Sequence, residues 1–110
     1  MPRGSLGVAT DALRYNEEER VEPREEVLHR TRIGLVDGRS LAVVIVNLSP
    51  HGLMIRTDAA VSPGEWIKVT LPVIGEARAA VRWALGGRVG CELERAIPAT
   101  SYHAVLHAMR

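Results

Sequence analysis

The residues best suited to chemistry in this chain fall in two short clusters. Arg20 and Arg24 stand four positions apart in Arg20-Val21-Glu22-Pro23-Arg24, and Asn47, Ser49 and Gly52 share the stretch Asn47-Leu48-Ser49-Pro50-His51-Gly52. An arginine presents a rigid planar fork that can grip a phosphate with two hydrogen bonds or take guanine O6 and N7 together. Asn47 can donate to and accept from a base edge, and Ser49 can do so on a smaller scale. Gly52 permits a backbone conformation or a close approach that a side chain would block. One anionic, guanine-bearing ligand would use all five residues, provided the two clusters meet in space.

Other chemistries find less support. His103 and His107 have a zinc-compatible spacing, but no third ligand or HExxH glutamate accompanies them, so they read as surface histidines. Cys91, the only cysteine, falls in phase with Val89 and Leu93 and reads as a buried structural thiol. Ser49 has no base or acid partner of triad type, and no Walker or dinucleotide glycine loop occurs. No enzyme activity, metal or cofactor is therefore expected. A formal net charge of +1 and a total of two Trp and two Tyr argue against a nucleic-acid surface, so no DNA or RNA partner is expected. No apolar run reaches the ~18 residues of a membrane span, and no secretory signal is evident, which makes a cytoplasmic location the default.

What must position these clusters is a chain of 110 residues, one domain's worth, with 46% hydrophobic residues and no Phe. Residues 1–16 read as a flexible leader and 17–110 as one folded unit. The glutamate-rich run 17–26 reads as an extended or turning segment, because Pro23 disfavours helix. From Val27 onward short β-prone runs alternate with turn signals. Strands are expected over 27–36, 41–48, 53–57, 66–71, 77–85 and 89–93, with the polar Asn47–Gly52 stretch as a turn between the second and third. Asp37-Gly38, Ser62-Pro63-Gly64 and Gly86-Gly87 mark further turns. Along 77–85, strict alternation places Ala77, Ala79, Val81, Trp83 and Leu85 on one face. Pro98 opens a C-terminal helix whose Tyr102, Val105, Leu106 and Met109 share a face, for packing on the sheet or for a dimer contact. Around six short, evenly spaced strands without βαβ alternation imply an all-β antiparallel barrel or sandwich with a C-terminal helix.

Arg20-x-x-x-Arg24 followed by Asn47-x-Ser49-x-x-Gly52 resembles the two-part signature of PilZ domains, RxxxR and then [D/N]xSxxG. The resemblance runs on through Gly64, Leu71-Pro72, Val81-Arg82-Trp83 and Gly90-Cys91-Glu92-Leu93, covering roughly residues 20–95. Either half alone is weak, but both in order at this separation are specific. The resemblance implies a six-stranded antiparallel β-barrel with a C-terminal helix that acts as a receptor for the bacterial second messenger cyclic di-GMP. It implies that Arg20 and Arg24 hold guanine and phosphate, that Asn47 and Ser49 contact a guanine from the barrel, and that Gly52 shapes the turn. The arginine segment would order over the ligand and pass the signal to an effector protein, the domain itself being a monomer or weak homodimer without membrane insertion. The alternative is a PilZ-like adaptor that works through protein contacts and binds no nucleotide.

Overall fold

In the computed structural model, which describes residues 23–110, six strands close into an antiparallel barrel. The strands are β1 (Glu25–Gly34), β2 (Ser40–Ser49), β3 (Gly52–Arg56), β4 (Trp66–Leu71), β5 (Gly75–Leu85) and β6 (Arg88–Leu93). Their order around the barrel is β1-β2-β3-β6-β5-β4, with β1 returning to pair with β4. Closure leaves no open sheet edge. The expected leader, residues 1–16, and Arg20 lie outside the described residues.

Period-two alternation builds the interior. In β4 Ile67, Val69 and Leu71 are buried while Trp66, Lys68 and Thr70 face outward. Leu53 and Ile55 of β3 and Val89, Cys91 and Leu93 of β6 add to the same core. With no Phe available, branched aliphatic side chains fill this small barrel, and they pack without polar atoms. The expected turns form where glycine supplies positive φ, at Gly38 after Asp37 and at Gly86-Gly87 between β5 and β6.

Two irregularities reset the alternation. Val46 is an extra residue on β2 relative to β3, since Ile45 pairs with Ile55 and Asn47 with Met54. The bulge lets Ile45 and Leu48, three apart, both point into the core. On β5 the register shifts between Val81 and Trp83, so Arg82 is the extra residue. Strict alternation along residues 77–85 therefore fails beyond Val81. The bulge turns Trp83 and Leu85 away from the core, and both are exposed.

Helix α1 (Ala99–Met109) follows, with Pro98 as its N-cap residue. Its buried side chains are Val105, Leu106 and Met109, and Tyr102 is half-buried against the same core. The apolar face is thus used against the barrel. The helix lies on β1, where the Arg110 guanidinium binds the Glu25 carboxylate at 2.8 Å and the Glu26 carbonyl at 3.4 Å. His103 and His107 are exposed. Among the described residues no helix is long and apolar enough to cross a membrane.

Candidate ligand-binding site

The second cluster belongs mostly to strand rather than to turn. Asn47, Leu48 and Ser49 are the last residues of β2, and Gly52 opens β3, so the turn itself is Pro50-His51 alone. The Asn47–Gly52 stretch was expected to be turn throughout. The side chain of Ser49 explains the difference: its hydroxyl accepts from Gly52 N–H at 3.1 Å and donates to the Gly52 carbonyl at 3.3 Å. That pairing carries the ladder to the edge of a two-residue loop. It also accounts for a serine only 6% exposed, since a buried hydroxyl is costly unless bonded.

Gly52 is required by proximity, not by φ. A Cβ there would stand 2.8 Å from the Cys91 carbonyl oxygen on β6. The hairpin is also held from behind by the C-terminal part of the chain. The Pro50 and His51 carbonyls accept from Ile97 N–H and Leu93 N–H, both at 2.8 Å. Tyr102 donates its hydroxyl proton to the Leu48 carbonyl, between Asn47 and Ser49, at 3.2 Å. Two backbone bonds and one from the Tyr102 side chain thus hold this hairpin on the barrel.

Arg24 lies immediately before β1, and β1 pairs Glu26 with Asn47. Its Nη1 stands 3.5 Å from Asn47 Oδ1, the outer limit of a hydrogen bond. Asn47 Nδ2 meanwhile points to the Met54 sulfur at 3.7 Å. The structure therefore brings together Arg24 and Asn47, with Ser49 and Gly52 two and five residues further on. The carboxylate of neighbouring Glu25 is on Arg110.

The row continues across the barrel surface in a way the sequence did not disclose. Asn47 is opposite Met54, Met54 opposite Gly90, and Gly90 opposite Trp83. The indole of Trp83, 39% exposed, lies over Gly90, where a Cβ would overlap its ring. At ~4.8 Å per strand, this flat apolar surface begins about 10 Å from Asn47. The Arg82 bulge is what puts Trp83 there, and no residue type in the sequence announces a bulge.

Residues 17–109 match the family model of the PilZ domain. The chain belongs to the PilZ domain family. No curated protein matches it. The match spans both arginines and the whole barrel, so the PilZ domain includes α1 together with the strands. Members of the family act as cyclic di-GMP receptors and adaptors, and the barrel with its C-terminal helix is the fold expected of them.

Proposed function

We propose that this PilZ domain is a cyclic di-GMP receptor that signals to a partner protein in the bacterial cytoplasm, without catalysis. The observation that carries the reading is the meeting of Arg24 and Asn47, which joins the two halves of the signature across the β1–β2 ladder. Their contact is long, so a ligand oxygen can replace it at small cost. The Arg24 fork then takes phosphate or the guanine O6/N7 edge, and Arg20 supplies the second guanidinium. Asn47 offers its amide to a guanine, and the Ser49 hydroxyl adds its remaining lone pair while keeping its bonds to Gly52. Met54 and Trp83 provide an apolar floor for a purine face, an interaction worth about 1–3 kcal/mol per base. The arginine segment closes over the bound nucleotide, and the surface formed there is what a partner reads.

Titration calorimetry with cyclic di-GMP tests this. The expected result is a dissociation constant on the order of micromolar or tighter. Charge-assisted hydrogen bonds contribute about 1.5–3 kcal/mol each, so the double variant Arg20→Ala, Arg24→Ala loses roughly 100-fold or more. Full-strength binding by that variant would refute the site. No binding by the folded wild-type chain would refute the receptor reading and leave an adaptor acting through protein contacts alone.

A further inference from the structure

A second charged surface lies at the other end of β1, roughly eight residues and about 26 Å along the strand from Glu26. There β1 leaves β4 after the Gly34–Lys68 pair and enters the hairpin closed by Leu35 and Arg39. The divergence opens a groove of about 440 Å³. Its apolar walls include Val36, 78% exposed, and Trp66, 40% exposed. Four cations line it, Arg32, Arg39, Lys68 and Arg78, against one lining carboxylate, Glu76.

The cations are not equivalent. Arg39 is neutralised by Asp37 at 2.8 Å, whose carboxyl pKa is lowered by the Arg39 backbone N–H and guanidinium. Arg78 pairs with Glu94 at 3.1 Å and lies over the Trp66 ring, 4.6 Å from its centre. Arg32 differs, because it donates to the Ser40 hydroxyl at 2.9 Å and to the Ser40 carbonyl at 3.0 Å. Both acceptors are uncharged, so Arg32 is held in place with its charge intact. Lys68 makes no ion pair among the described residues, and it stands directly opposite Arg78 in the β4–β5 ladder. Arg78 already has Glu94 as its counter-ion, so the charge left over in this pair is that of Lys68. Arg32 and Lys68 are thus the two groove cations that no described carboxylate pairs with.

We infer that this groove docks an acidic segment of a partner protein, with its carboxylates on Arg32 and Lys68 and an aliphatic side chain between Val36 and Trp66. The exposed indole and valine favour a peptide over an inorganic polyanion, which would have no use for them. The surface is distinct from the nucleotide site and stands whether or not that site binds its ligand.

The test is a titration of the isotope-labelled 110-residue chain with a hexapeptide of alternating glutamate and leucine, followed by amide and indole NMR shifts. The expected result is saturable shifts at Gly34, Lys68 and the Trp66 indole N–H that weaken as salt is raised. Lys68→Glu should reduce the affinity at least tenfold and Trp66→Ala at least threefold, while Arg24→Ala leaves it unchanged. Both substituted positions are surface-facing, and an unchanged spectrum elsewhere reports an intact fold. Absence of shifts, or shifts centred on Arg24 and Asn47, would overturn the inference. So would equal shifts with tripolyphosphate that Trp66→Ala does not affect, because the groove would then be a general anion site.

Discussion

Gly52→Ala isolates what the glycine of the signature does. The new Cβ would lie 2.8 Å from the Cys91 carbonyl oxygen, whereas carbon–oxygen contacts settle at about 3.3–3.6 Å. Relief requires β3 and β6 to separate by roughly half an ångström, since the obstructing atom is backbone. Neither strand can yield freely: Gly52 pairs with Glu92 and Leu53 with Cys91, and both strands have neighbours on their other sides. Overpacking of this kind costs about 1–3 kcal/mol. Reduced freedom of the unfolded chain returns about 0.4–1 kcal/mol of that, leaving a net loss of about 1–2 kcal/mol. For a domain of this size that is a midpoint lower by about 5–15 °C. Thermal and urea unfolding by circular dichroism measure it. Cyclic di-GMP affinity should fall in parallel, because the Ser49 hydroxyl is bonded to Gly52 on both sides. An alanine variant as stable as the parent would refute the packing argument and return the glycine's role to ligand contact.

Gly90→Ala provides the contrast, because there the obstructing atoms belong to the Trp83 side chain. The indole can swing outward, so the expected stability loss is only about 1 kcal/mol, but its emission should shift to the red and cyclic di-GMP affinity should fall about tenfold. With Trp66→Phe as background, an unshifted spectrum in the alanine variant means that the indole does not rest on Gly90. Cys91 gives a pH dependence: burial pushes its thiol up to about 12 from an ordinary 9.0. Above pH 9 the unfolded chain loses the proton that the folded chain keeps, so stability is full below pH 9 and declines by up to about 1.4 kcal/mol per pH unit towards 12. Urea midpoints at pH 8, 9 and 10 should fall more steeply in the parent than in Cys91→Ala, and equal slopes would contradict the buried, protonated thiol.

The strands and most turns were legible because each rests on a local rule. Alternation over Trp66–Leu71 marks a half-buried strand, and Asp37-Gly38 marks a hairpin. The site was only half legible. Residue types and spacing singled out Arg24, Asn47, Ser49 and Gly52, but spacing cannot show that Ser49 closes a ladder or that Gly52 faces a carbonyl on β6. Trp83 was assigned to the wrong face for a related reason. A single extra residue at Arg82 inverts everything after it, and that insertion is defined by the partner strand, far away in sequence. Local patterns set the elements, while register sets which side chains share a surface.

The end of the chain also supports the hairpin that carries the candidate site. Asn47 and Ser49 stand on a hairpin whose turn is two residues long, and such a turn by itself leaves carbonyls pointing away from either strand. Leu93 and Ile97 supply the donors for the His51 and Pro50 carbonyls, and Tyr102 supplies one for Leu48 in β2, so the end of β6, the linker and α1 together hold the hairpin in one position. Arg110, at the end of α1, reaches the other half of the site by taking the Glu25 carboxylate beside Arg24. The end of the chain therefore contacts both β2 beside Asn47 and β1 beside Arg24. A ligand that draws on Asn47 and Ser49 would meet a hairpin whose backbone is already restricted, and less of its binding energy would go into ordering it.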